Sequence, residues 1–399
     1  MRLKSLQRYK TEYDIFALKV LNLSGFEMSN SKLKYMRFKL SGCALILICS
    51  VFNCSSEADT GTPIENPPVT ESIYFPPIDV SAEWETVSIS DLGWNENQLQ
   101  PLIDYLDEKN SKGFMILHKG KIVEGTEVYL NGHSESSNWY WASAGKTLTT
   151  ALSGIVQEEG LLSINNPVSD YLGTGWTSAP VEKENLITCR NLLSMDSGLD
   201  DALGDDVSAE NLQYVADAGD RWAYHNVYKK MQDVVASASN QDFEHYFETQ
   251  LKDAIGMGGA WIQIQDFNVY WSNTRSMARF GLLVLADGNW NGNQIIPQAF
   301  VEASTSSSQL LNKSYGYLWW LNGKSSYRLP QSQIEFQGEL IPNAPADMFC
   351  ALGRDDQKIY VVPNRDLVIV RMGNAADDVN FALSNFDNQL WGKINALID

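Results

Sequence analysis

The sequence predicts an α+β fold: an antiparallel sheet built from both ends of the chain, flanking helices, and an inserted all-helical region at approximately 147–300. Three observations predict it. Runs rich in β-branched and aromatic residues lie near the front, at 114–117 and 121–128, and return near the end, at 317–321, 347–352, 357–362 and 367–372. Helical spacing of apolar residues dominates between them. No segment repeats internally.

The elements follow in order. Asn95 can cap a helix running to about Lys109, with Leu99, Leu102, Ile103 and Leu106 on one face. His118-Lys119-Gly120 joins the first two β runs as a tight turn. The helical middle comprises 143–159, the stretch near 186–195, 228–238, 242–254 and 274–285, and Gly160 is placed to end the first of these helices. Residues 363–366 form a turn, and 381–398 close the chain as a helix.

The 399 residues are 44% apolar with twelve Trp, enough for a sizeable core, so wholesale disorder and coiled coil are excluded. Lys and Arg number 30 against 49 Asp and Glu, a formal charge of −19. Nucleic acid and acidic membrane surfaces are poor partners for such a chain. The charge is uneven: residues 1–53 hold nine basic and three acidic residues, leaving a balance of −25 beyond them. Lys32, Lys34, Arg37 and Lys39 precede the apolar run 40–52, which is shorter than the ~20 residues of a membrane span and reads as an export signal. Counted from Met36 that signal stands at an N-terminus, so residues 1–35 read as an over-long translation. Val51-Phe52-Asn53-Cys54 resembles a bacterial lipoprotein signal. The resemblance implies export to the periplasm or cell surface with a lipid anchor on Cys54. Asn53 departs from the small residue usual there, which leaves cleavage and release as the alternative. The expected organisation is an extension with its signal at 1–53, a Pro-bearing linker at 54–86 and one domain at 87–399.

Of five Cys, only Cys189 and Cys350 lie beyond the signal region, and the sequence leaves open whether they pair. The four His, at 118, 133, 225 and 245, show no ligand spacing, and no CxxC occurs, so no zinc site is expected.

The chemistry centres on Ser143-Ala144-Gly145-Lys146. Spacing i, i+3 puts Ser143 and Lys146 on one side of a helix, and a desolvated Lys can be neutral and act as base for a hydroxyl. The helix N-terminus offers free N–H groups for an oxyanion. Alone the pattern is weak, since an N-terminal Ser with a solvated Lys is commoner. Tyr224-His225-Asn226 follows some eighty residues on. A Tyr near a Ser–Lys pair can relay protons, and an Asn amide can hold the Lys or the substrate. In this order and distance the two motifs resemble those of the serine β-lactamase and penicillin-binding-protein superfamily, near the class C β-lactamases, their esterase relatives and the 6-aminohexanoate-dimer hydrolases. The resemblance extends through His118-Lys119-Gly120-Lys121 and the stretches 187–199, 277–283 and 316–320. It implies a β-lactamase/transpeptidase-like fold, Ser143 as nucleophile, Lys146 as its base, Tyr224 as proton shuttle and Asn226 hydrogen-bonding in the site.

That family's third motif, Lys or His, then Thr or Ser, then Gly, is absent. The matching place is Ala351-Leu352-Gly353. Gly353 keeps a close backbone approach, and the N–H of Arg354 becomes the second oxyanion donor beside that of Ser143. Ala351 removes the cation that would meet a substrate carboxylate, and Asp355 and Asp356 stand where relatives often have small residues. His225 reads as structural. No G-x-S-x-G elbow supports an α/β-hydrolase. At least half of Trp139, Trp141, Trp222, Trp319 and Trp320 read as core. Asp196, Asp200, Asp201, Asp205 and Asp206 read as a solvated acidic loop.

The expectation is an exported serine hydrolase that cleaves a small ester, amide or peptide through an acyl-enzyme, with no cofactor, no metal, no nucleic acid, and membrane contact only through its lipid anchor. A β-lactamase or D-alanyl-D-alanine carboxypeptidase is the alternative. A catalytically silent binder of cell-wall fragments is the alternative of another class.

Overall fold

The computed structural model describes residues 72–377 and 383–399. The apolar run 40–52, its basic flank, Met36 and Cys54 lie outside the described residues. The last part of the expected linker belongs to the folded body. The Tyr74 N–H donates to the Lys119 carbonyl at 2.9 Å. The Trp84 indole donates to the Gly120 carbonyl at 2.8 Å, and Arg279 donates to the Pro77 carbonyl at 2.7 Å. Ile73, Tyr74, Phe75 and Trp84 supply apolar surface that packs on the core, which a solvated tether would leave in water.

Eight strands form the main sheet: β1 (Thr86–Val87), β2 (Ser111–His118), β3 (Lys121–Val123), β4 (Val128–Tyr129), β5 (Trp320–Leu321), β6 (Phe349–Gly353), β7 (Gln357–Val362) and β8 (Leu367–Gly373). Their order is β1-β3-β2-β8-β7-β6-β5, with β4 also on β2. All pairings are antiparallel except β1 with β3. The two ends of the chain meet at β2–β8, from Leu367 opposite His118 to Gly373 opposite Ser111. The expected sheet built from both termini is therefore observed. Lys119 and Gly120 both take positive φ, as a two-residue hairpin turn requires.

Every residue of β6, β7 and β8 is buried. Helices on both faces explain why these strands read as continuous apolar runs rather than alternations. Among the described residues, five helices have ten or more residues: α1 (Leu99–Glu108), α2 (Lys146–Glu158), α3 (Lys230–Ser239), α4 (Thr274–Leu285) and α5 (Asn385–Ile398). On one face, α4 fits closely enough that a Cβ on Gly281 would lie 2.5 Å from Val368 and 3.1 Å from Ile359. On the other, α5 sets Trp391 against Tyr360 and Phe386 against Tyr105 of α1. The Asn95 side chain caps nothing. Its N–H donates to the Leu397 carbonyl and ties the entry of α1 to the end of α5. Among the described residues, no helix is long and apolar enough to cross a membrane.

The middle region is not all-helical. Ala260–Ile264 and Phe267–Ser272 form a hairpin joined by Trp139–Tyr140 into a separate three-stranded sheet. The expected helix at 242–254 is capped by Asp242, whose carboxylate accepts from Glu244 and His245 N–H groups, but regular α geometry stops at Phe247 and continues as a wider turn. α2 is buried from Lys146 to Val156 and packs on α3, and Gly160, φ 74°, follows its end. Cys189 and Cys350 are both free and buried.

Candidate active site

The chain enters the site along Trp139–Tyr140, which pairs with the end of Phe267–Ser272. Trp141 then fixes the backbone. Its N–H donates to the Tyr270 carbonyl and its indole to Ser272 Oγ, each at 2.8 Å, and its ring lies fully buried against Tyr270 and Phe280. Held this way, Ala142 takes φ 48°, a left-handed conformation costing an L-residue roughly 1–2 kcal/mol. Ser143 follows in a single 3₁₀ turn, Ala142–Gly145, ahead of α2 rather than inside it. The i, i+3 relation survives: Lys146 Nζ donates to Ser143 Oγ at 2.7 Å. Ser143 is half-buried, whereas Lys146 is only 4% exposed.

Two phenols face Lys146. Its Nζ lies 4.9 Å from the ring centre of Tyr224 and 4.5 Å from that of Tyr228. Tyr224 stacks on Trp320 at 5.8 Å and 24°, and Tyr315 meets Trp320 edge-on at 4.9 Å. Burial alone would push the Lys146 pKa down. The Tyr224 and Tyr228 phenols, with a hydrogen bond to Tyr224 and the Asp205 carboxylate, outweigh burial and hold it above the ordinary lysine value. Burial pushes the Tyr228 and Tyr315 hydroxyls up. Desolvation, which the sequence reading weighed alone, is therefore opposed in the fold by the two phenols beside the amine. Tyr228 escaped the reading of the sequence, although its position four residues after Tyr224 was the available signal.

Asn226 is buried, but its amide serves the surrounding loops. Nδ2 donates to the Asp205 carbonyl at 2.7 Å and to the Asp266 carbonyl at 3.1 Å, while Oδ1 is buried without a protein partner. It therefore joins the acidic loop to the turn of the Ala260–Ile264 hairpin. His225 packs beside Gly204, its pKa lowered by burial. The acidic loop is not wholly solvated. Asp201 is buried and bonded to Arg221 at 2.5 Å, and Asp196 is buried and accepts from Ser194 at 2.6 Å and Asn191 at 3.0 Å. Of the five Trp, all but the half-buried Trp139 are core. Among the described residues, no group of three His, Cys, Asp or Glu is arranged to hold a metal.

The opposite wall is the end of β6. A Cβ on Gly353 would lie 2.3 Å from the Trp141 carbonyl oxygen and 3.1 Å from the Ala144 nitrogen, so only glycine lets this strand reach the Ser143 turn. The peptide between Gly353 and Arg354 sits there, and the Arg354 side chain turns to solvent, 67% exposed. Ala351, two residues back on the same face of β6, is 1% exposed and offers no cation. The structure thus brings Ser143, Lys146, Tyr224 and the Gly353–Arg354 peptide around one spot, while the Asn226 amide nitrogen, expected to hydrogen-bond in the site, is bonded to the Asp205 and Asp266 carbonyls instead.

The Beta-lactamase family model matches residues 111–390. An uncharacterised protein of Alkalihalophilus pseudofirmus is 25% identical over 299 residues, covering 65% of this chain and 82% of that one. A solved Bacillus anthracis structure, described as a candidate 6-aminohexanoate-dimer hydrolase, is 19% identical with a TM-score of 0.60, covering 82% of this chain and 92% of its own. A solved hydrolase with promiscuous acyltransferase activity is 12% identical with a TM-score of 0.57, covering 78% and 99%. At these identities the solved structures speak to fold. With the match spanning most of the chain, from the start of β2 into α5, the protein belongs to the Beta-lactamase family.

Proposed function

We propose that this chain is a serine hydrolase that cleaves an ester or amide through an acyl-enzyme on Ser143. The observation that carries the reading is the 2.7 Å contact between Ser143 Oγ and a buried Lys146 set against two phenols. In the reactive form Lys146 is a neutral amine and acts as the base, with Tyr224 beside it to relay the proton, and the two form one acid–base pair. Ser143 Oγ attacks the carbonyl carbon while its proton passes into the pair. The carbonyl π electrons move onto oxygen, where the N–H groups of Ser143 and Arg354 receive the charge. When the C–O or C–N bond breaks, the pair returns the proton to the leaving oxygen or nitrogen. Water then repeats the sequence on the acyl-enzyme and frees the acid.

The test uses p-nitrophenyl esters and a fluorophosphonate probe. Ser143→Ala should lose several decades of rate and Lys146→Ala nearly as much, with mass spectrometry finding the probe on the Ser143 peptide. Labelling at another serine, or full turnover by Ser143→Ala, would refute the reading.

A further inference from the structure

The Gly353–Arg354 peptide is followed by two residues in left-handed conformation, Asp355 at φ 59°, ψ 33° and Asp356 at φ 62°. Consecutive non-glycine residues of this kind persist only where their surroundings over-determine them. Here they are held from below. Arg371 Nη1 donates to the Asp355 carbonyl at 2.9 Å and to the Asp356 carbonyl at 3.0 Å. The Gln357 amide donates to the Asp355 carbonyl at 3.0 Å. The buried Asp356 carboxylate accepts from Ala376 N–H, Ser384 Oγ and Lys358. One contact crosses from this turn to the other wall: the Tyr140 hydroxyl donates to Asp355 Oδ2 at 2.6 Å. Tyr140 stands three residues before Ser143, and its ring packs against Trp139 and Trp271 at 5.3 and 5.4 Å.

We propose, on the serine-nucleophile reading of this site, that Tyr140 and Asp355 are a positioning pair: their hydrogen bond is a strut that fixes the distance between the Ser143 turn and the Arg354 N–H. Each end is anchored to a rigid element, Tyr140 to the small sheet and Asp355 to the Arg371-held turn. Both turns also carry a left-handed residue, Ala142 and Asp355. Neither side chain moves a proton of the reaction. A carboxylate one residue beyond an oxyanion donor is electrostatically adverse, and the phenol hydrogen bond turns it to structural use. Losing the strut should slow formation of the tetrahedral intermediate while leaving acyl-group binding nearly unchanged.

The experiment compares Tyr140→Phe, Asp355→Gly and Asp355→Asn with the wild-type chain. Glycine removes the acceptor yet tolerates the positive φ, and asparagine keeps both an accepting oxygen and the turn. The readouts are the rate of Ser143 labelling by fluorophosphonate, kcat and KM on p-nitrophenyl butyrate, and thermal melting. Tyr140→Phe and Asp355→Gly should each slow labelling and kcat by about ten- to a hundred-fold, with little change in KM and no further loss in the double variant. Asp355→Asn should recover most of the rate. If wild-type Ser143 is labelled and Tyr140→Phe is labelled equally fast, the strut is overturned and the nucleophile reading stands. If rates in all three variants fall only in step with melting temperature, the pair is merely structural and the proposal fails. If wild-type Ser143 is not labelled, the nucleophile reading falls and the strut with it.

Discussion

Asp196 shows how burial overrides a residue's ordinary behaviour. It reads from the sequence as one of five solvated carboxylates, yet it is 5% exposed, and burial holds its pKa above the usual carboxylate value despite hydrogen bonds from Ser194 and Asn191. The folded state therefore binds this proton more tightly than the unfolded chain. The stability it contributes is present below the unfolded value of 3.8 and is lost as pH rises through the raised folded value. Asp196→Asn keeps an accepting oxygen and removes the titration. Its melting temperature relative to wild type should therefore be higher at neutral pH than near 3.8; an equal difference at both would show that the folded pKa is not raised. Lys146 is the opposite case. The pairing with Ser143 was legible from three-residue spacing, but the direction of its pKa was not, because the Tyr224 and Tyr228 phenols that oppose burial come from a segment some eighty residues away.

Among the elements, the contact between β6 and the Ser143 turn leaves no room for a side chain at Gly353. Gly353→Ala would put a methyl group 2.3 Å from a backbone oxygen that Trp141 cannot yield, since its indole and N–H are both bonded. Relief requires β6 and the turn to separate. Overpacking of this kind costs roughly 1–3 kcal/mol of stability. Displacing the oxyanion donor by about an ångström costs on the order of 10²-fold in rate. We expect esterase activity to fall by about that factor while the variant still folds, as checked by circular dichroism and steady-state kinetics. A fully active Gly353→Ala would mean that β6 does not border the reacting atoms.

At the scale of the whole molecule stand two proposals, one on substrate class and one on location. Penicillins and cephalosporins carry a carboxylate beside the reacting carbonyl, and a charge-assisted contact to one contributes roughly 1.5–3 kcal/mol, or about one to two decades of rate. Ala351 is buried and uncharged, the Arg354 guanidinium points into solvent, and the chain beyond residue 53 is strongly acidic. The expected result is a higher kcat/KM for p-nitrophenyl esters than for nitrocefin, measured side by side. Efficient nitrocefin hydrolysis would reveal a carboxylate partner elsewhere. For location, we propose lipid anchoring at Cys54. A doubly acylated N-terminus binds membranes stably, so wild type should sediment with membranes and Cys54→Ser should become soluble. A soluble wild type with a different N-terminal residue by sequencing would overturn the anchor.

The sequence by itself determined what is written in local periodicity and in residues with singular backbone roles. The apolar runs of β7 and β8, the amphipathic face of α1 and Gly160 after α2 are all of this kind. Their signals sit within a few residues of the feature they specify. The hairpin Ala260–Ile264 and Phe267–Ser272 went unread, although Gln265 and Asp266 lie between two runs rich in Ile, Val and aromatics, because the helices on either side set the expectation. Only the tertiary structure decided that the Asn226 amide nitrogen serves two loop carbonyls, that Tyr228 faces Lys146, and that Tyr140 reaches Asp355. The last of these contacts spans 215 residues of chain. Such pairings are selected by the packing of the whole sheet against its helices, and no spacing along the sequence encodes them.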